Sequence, residues 1–158
     1  MTTSAKKSRA FDSLEQEVFL SLWRTYDRLR ALEEELFSSY DLTPQQYNAL
    51  RLLSGEHPRQ VRTLELGGRL VSRAPDITRL LDKLEQRGLV VRERPADNRR
   101  VVHVGITDAG RALLRELREP LRRCHGRQLG HLSQTELTEL ANLLRAARRP
   151  HEDDERWR

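Results

Sequence analysis

From Ser13 to about Tyr40 the chain carries neither proline nor glycine. Within that stretch Val18, Leu22, Leu29, Leu32 and Leu36 recur at spacings of four, seven, three and four, the period of one face of an α-helix. A second stripe, Phe19, Trp23, Tyr26 and Phe37, runs beside the first, so this helix is apolar over more of its girth than one neighbour covers. It has to be buried from two sides. Hydrophobic residues make up 37% and charged residues 34% of the 158 residues, and with a mean hydropathy of −0.75 this suits a charged long-helix protein better than a β-sandwich. A chain of this length has room for one compact domain with helical arms and not for two full domains.

Start and stop signals divide the remainder. In "LTPQQY", Thr43 is placed as N-cap, Pro44 at the first helical position and Gln46 three residues after the cap, with Leu42 and Tyr47 as a hydrophobic staple. This second helix carries Leu50, Leu52 and Leu53 and is expected to stop at "SGEHP". A short third helix, about Thr63 to Leu70, contains Gly67 and Gly68, each of which costs about 1 kcal/mol relative to alanine, so packing has to hold it. A fourth helix follows "VSRAP", with Pro75 in its first turn, Ile77, Leu80, Leu81 and Leu84 on one face, and Gly88 as a left-handed cap. Its other face carries Asp76, Thr78, Arg79, Asp82 and Lys83. Thr107 caps a fifth helix to about Leu129, with Leu113, Leu117, Leu121 and Cys124 on one side and a kink expected at Pro120. Leu132, Ser133, Glu136 and Leu137 combine staple and capping box to open a sixth, bearing Leu140, Leu144 and Ala147.

Between the fourth and fifth helices, "LVVRER" and "RVVHVGIT" alternate β-branched with polar residues around "PADN", the pattern of a two-stranded hairpin. Its tip crowds Arg92, Arg94, Arg99 and Arg100 together, and such crowding is relieved only against phosphates or water. With a formal charge of +5 and an isoelectric point near 10.0, the chain calls for an acidic partner, nucleic acid or an anionic surface. An amphipathic helix fits the major groove of DNA while an adjacent hairpin reaches the backbone or the minor groove. In that arrangement Lys83, Arg92 and Arg94 contact phosphates, Thr78 and Arg79 reach base edges, and Arg73 and Arg100 are further DNA-binding candidates. Asp97, two residues before Arg99, is placed to hold that guanidinium in one extended pose. Asp76 either reads a cytosine amino group or favours the helix N-terminus, and the second is preferred because negative charge opposes approach to phosphate.

"APDITRLLDKLEQRGLVVRERPADNRRVVHVGITDAG", with a long helix before it and two after, resembles the MarR family of winged helix-turn-helix regulators over about residues 13–148. The specific parts are "TRLLDKLEQRGLV" and "RPADNRRVVHVGIT" in that order. The resemblance implies a mainly α-helical winged helix-turn-helix fold: dimerisation helices at 13–40 and 107–148, a DNA-binding unit with a two-stranded wing at 41–106, a disordered head at 1–12 and a tail at 149–158. It implies a homodimer on double-stranded DNA, its first, fifth and sixth helices interlocked and its fourth helices in successive major grooves of a pseudopalindromic operator. The wing arginine matching Arg99 enters the minor groove, oriented by Asp97, and a repressor sign follows from the family. A small aromatic or anionic effector binding between the dimerisation helices and the winged unit is also implied. Trp23, Tyr26 and Arg30, at helical spacing, are its candidate contacts, with Tyr47 joining them, although core or interface packing explains the same residues.

Other classes find little support. No glycine-rich phosphate loop and no nucleophile with base and orienter can be assembled, so the chain is not read as an enzyme. Cys124, His125 and His131 lie close in sequence, but adjacent helical residues point about 100° apart, and no metal or cofactor is expected. Cys124 is read as a buried small hydrophobe. No apolar run spans a bilayer and the N-terminus lacks a secretory pattern, so a cytoplasmic protein with no membrane partner is expected. The rival to a specific regulator is a ligand-independent protein using the same basic face on random DNA or on an anionic membrane.

Overall fold

A computed structural model describes residues 11–71 and 76–152. In chain order the elements are α1 (Leu14–Ser38), α2 (Pro44–Glu56), β1 (Val61–Arg62), α3 (Thr63–Arg69), α4 (Ile77–Gln86), β2 (Val90–Glu93), β3 (His103–Ile106), α5 (Asp108–Leu129) and α6 (Gln134–Arg148), followed by a 3-10 turn at Arg149–His151. The fold is mainly helical, with a small antiparallel sheet.

Every α-helix but α3 begins where a side chain offers its unpaired amides an acceptor. Thr43 and Ser133 form capping boxes with Gln46 and Glu136, Ser13 accepts from the Gln16 amide, and Thr107 accepts from the Gly110 amide. The stops are less local. α2 runs through Ser54 and Gly55 to Glu56, beyond the stop expected at "SGEHP". Leu53 is fully buried just before that turn, and Glu56 at its end accepts from Arg69 Nη1 at 2.6 Å and Arg59 Nη2 at 2.7 Å, so packing and ion pairing carry the helix past the glycine. It ends at His57 because Pro58 disfavours helical geometry in the residue before it. α4 starts at Ile77, capped by Asp76. Pro75 itself, Arg73, the head at 1–10 and the tail at 153–158 lie outside the described residues.

The hairpin expected as two strands is part of a three-stranded antiparallel sheet in the order β1-β3-β2. β2 and β3 pair Val90 with Ile106 and Arg92 with Val104, and β1 adds Val61 opposite Val104. A two-residue strand has no alternation to read, and only the exposed edge of β3 calls it into place.

The core lies between these elements. Phe37 from α1, Leu50 and Leu53 from α2, Val61 from β1, Leu66 from α3, Leu81 and Leu84 from α4, Val104 from β3, and Leu117 from α5 are all almost completely buried. Phe37 is the one buried residue of α1, and residues 12–28 are exposed throughout. Leu14, Val18, Phe19, Leu22, Trp23 and Tyr26 thus present an apolar face that nothing among the described residues covers. None of α6 is buried, and Leu143 is 69% exposed. Two-sided burial of the first helix is therefore not met among the described residues of one chain. No described helix is long and apolar enough to cross a membrane.

Candidate nucleic-acid interface

α4 presents its apolar side, Leu81 and Leu84 with Ile77 and Leu80 partly covered, to the core. Thr78, Arg79, Lys83 and Gln86 are left exposed on the other side. Its start is set by Asp76, whose Oδ1 accepts from the Arg79 amide at 2.9 Å. That carboxylate is occupied in satisfying a helix-end donor, which suits the capping reading of Asp76. Its end is a double-bonded turn: Gly88 N donates to Glu85 O at 2.8 Å and Leu89 N to Leu84 O at 3.0 Å, with Gly88 at a φ of +68° that side chains rarely adopt.

β2 leaves this turn and carries the wing. Arg92 faces back onto α4, where Nη2 lies 2.6 Å from Asp82 Oδ1 and 2.6 Å from Glu85 Oε2. Its backbone amide also donates to Glu85 Oε1 at 3.1 Å. Hydrogen bonds from Arg92 hold the Glu85 carboxyl below the usual carboxylate range, and Glu85 in turn raises the guanidinium. Arg92 is thus engaged within the fold. Further out, Arg94 Nη1 donates to the Arg99 carbonyl at 3.0 Å across the tip, and Asn98 Oδ1 accepts from the Arg100 amide at 3.2 Å. These bonds shape the tip. Asp97, expected to hold Arg99, makes no ion pair with it among the described residues, and both side chains are exposed. The turn at residues 95–98 and the Arg94 bridge order the loop without that carboxylate.

Between α4 and the wing lies a cleft of about 660 Å³ whose walls include Thr78, Asp82, Arg92, Arg94 and Arg100. Arg62, from β1, joins them, a residue that sequence reasoning missed. No motif marks it; it reaches the cleft only because β1 pairs with β3.

The four effector candidates do not share a pocket within the chain. Trp23 and Tyr26 are each 63% exposed, and Arg30 donates to Glu34 at 2.6 Å. Tyr47 stacks on Phe37 with ring centroids 4.8 Å apart. Phe37 is fourteen residues past Trp23, about 21 Å along the helix axis, so Tyr47 sits far from the aromatic pair. Cys124 is buried, and burial pushes its thiol up, as befits a packed small hydrophobe.

Comparison with known proteins agrees with this geometry. The MarR family profile matches residues 42–102. A crystal structure of a MarR transcription factor from Planctomyces limnophilus is 57% identical, with a TM-score of 0.69 over 86% of this chain and 98% of that one. This chain belongs to the MarR family. Transcriptional repressor MprA of Escherichia coli K12 is 28% identical over 142 residues, 89% of this chain and 81% of that protein. At 23% identity, the structure of Bordetella bronchiseptica BpsR, described with regulation of its DNA binding by 6-hydroxynicotinic acid, shows the fold alone, with a TM-score of 0.71 over 85% of this chain and 95% of that one. In this MarR-family regulator of transcription, the matched segment runs from the start of α2 to the wing. It contains each of the candidate DNA contacts, whereas Trp23, Tyr26 and Arg30 lie outside it on α1.

Proposed function

We propose that the protein is a homodimeric repressor that binds a pseudopalindromic operator and is released from it by a small aromatic anion. The observation that carries this reading is the exposed Thr78, Arg79 and Lys83 face of α4 standing beside an arginine-tipped wing, with Arg62, Arg94 and Arg100 around the cleft between them. Thr78 and Arg79, in the first turn of α4, take the base edges. Lys83, Arg94 and Arg73 take phosphates, and Arg99 with Arg100 enters the minor groove, where a narrow A/T-rich groove concentrates negative potential. Asp76 serves as a cap, and Arg92 acts through Asp82 and Glu85 to fix the wing against α4. Asp97 is left to orient Arg99 only once DNA is bound. Exposed apolar side chains on α1 and α6 support the homodimer, because a second copy offers the same surface in return. Trp23, Tyr26 and Arg30, one face of α1 near that seam, are the proposed effector contacts. BpsR, whose DNA binding is regulated by an aromatic acid, lends that part of the reading support by likeness of fold.

The test is selection of bound duplexes from a random pool, with sedimentation of the free protein alongside. A two-fold repeat among the winners and a dimer in solution are expected, with preference over random duplex of about a thousandfold or more. Winners without symmetry, or a preference that vanishes on adding competitor, overturn the reading in favour of a non-specific binder. Titration of the complex with aromatic acids checks the release.

A further inference from the structure

The C-terminal turn of α4 makes contacts that DNA reading does not use. Arg87 caps that turn, and its guanidinium reaches the corner between α1 and α2. There Nη1 donates to the Asp41 carbonyl and Nη2 to the Tyr40 carbonyl, the latter at 3.1 Å. Both acceptors are main-chain oxygens in the turn that directly follows α1. The corner is itself rigid: Leu42 N donates to Phe37 O at 2.9 Å and Asp41 N to Ser38 O at 3.1 Å, Asp41 has a φ of 52°, and Phe37 and Leu42 are buried. A planar guanidinium suits two neighbouring carbonyls in a way that a single ammonium does not.

The other side of the same turn is tied to α5. Thr107 Oγ1 donates to Gly88 O at 2.6 Å, and Thr107 N donates to Leu89 O at 3.1 Å. Gly110 then lets the first turn of α5 close on the chain so tightly that a Cβ there would lie 2.3 Å from Leu89 O. The end of α4 is thus anchored twice, to α1 through Arg87 and to α5 through Thr107 and Gly110. α1 is the helix whose N-terminal half is left uncovered. Arg87 is thus a direct polar link from the corner after α1 to the last turn of α4, alongside the packing that α1 shares with α2 and α5.

We propose that Arg87 is a positioning residue: by joining the last turn of α4 to the end of α1, it sets the distance between the two α4 helices of a dimer and so the half-site spacing that the protein accepts. This rests on the dimeric reading above. Without the Arg87 fork, the end of α4 loses its tie to the corner after α1 while its buried face and the Thr107 anchor remain, and each protomer still reads its own half-site. What is lost is the fixed separation.

The experiment uses the full chain and the selected operator, with derivatives in which one base pair is inserted or removed between half-sites. Each change moves the half-sites by about 3.4 Å and rotates them by about 35°. The wild type should prefer the selected spacing by about tenfold or more, and Arg87→Ala should narrow that to about threefold. Affinity for an isolated half-site should stay unchanged. Arg87→Lys should fall between. Equal loss at every spacing, with a salt dependence shallower by about one, would make Arg87 a phosphate contact and overturn the proposal. A lower melting temperature with the spacing preference intact overturns it too, as mere stabilisation. Distances between nitroxides at position 86 of the two protomers, in a Cys124→Ala background, give a second readout in the free dimer. A broader distribution on loss of the fork is expected, and an unchanged one counts against it. A wild type that is monomeric and ignores each duplex brings down both readings, whereas a sharp preference that Arg87→Ala retains brings down only this one.

Discussion

Replacing Arg92 by alanine removes the guanidinium that joins the wing to α4. Two ion pairs end on its Nη2, each at 2.6 Å, and Nε adds a bond of 3.1 Å to Glu85 Oε2. The Arg92 side chain is 22% exposed while those of Asp82 and Glu85 are 46% and 39% exposed, so water screens the pairs without dissolving them. A fully exposed pair contributes about 0.2–1 kcal/mol. A hydrogen bond to a charged group contributes about 1.5–3 kcal/mol when sheltered, and this half-sheltered network lies between the two, at about 1–2 kcal/mol for its complete loss. For a chain of this size that lowers the melting midpoint by about 2–8 °C. Urea denaturation of the wild type, Arg92→Ala, Glu85→Gln and the double variant, at one fixed protein concentration because association shifts apparent stability, gives the coupling between the two residues. About 0.5–1 kcal/mol is expected. Additivity within about 0.3 kcal/mol would refute the reasoning. The pH dependence supplies an independent arm. Because Arg92 depresses the folded-state pKa of Glu85, the contribution of Glu85 is present above its unfolded value and is lost as pH falls through the folded one. The gap between wild type and Arg92→Ala should therefore hold from neutrality to about pH 5 and shrink in more acid solution.

Asp76→Ala should cost about 1 kcal/mol of stability through the lost cap, with base preference in the operator unchanged; a preference altered at one base pair would make Asp76 a reader instead. Gly110→Ala drives a Cβ to 2.3 Å from Leu89 O and 2.7 Å from Ile106 Cγ1, and this overpacking should cost about 1–3 kcal/mol, seen as an earlier urea midpoint. Lys83→Ala should weaken binding about uniformly across sequences and reduce the salt slope by about one. Arg99→Ala should cost about 1–3 kcal/mol of binding and relax preference at A/T-rich minor-groove positions, and an unchanged footprint would remove the wing from the account.

The caps and faces of the helices were legible because their chemistry is local. Thr43 with Gln46, Ser133 with Glu136, and Thr107 find their acceptors and donors within three residues, so their spacing is the whole signal. Leu81 and Leu84 were placed in the core by helical periodicity alone, and Gly88 by its need for a positive φ. The basic wing and the exposed face of α4 were legible for the same reason. Sequence alone also showed that α1 is apolar over more of its girth than one neighbour covers.

Tertiary structure decided where charge and backbone meet across distance. β1 exists because β3 offers it an edge, and Arg62 enters the cleft with it. Arg92 reaches back ten residues to Asp82, and Arg87 reaches forty-six residues to Asp41, partners that no window of sequence brings together. Flexible cationic side chains have many poses of nearly equal energy, and only a completed fold, by fixing where carbonyls and carboxylates lie, selects one.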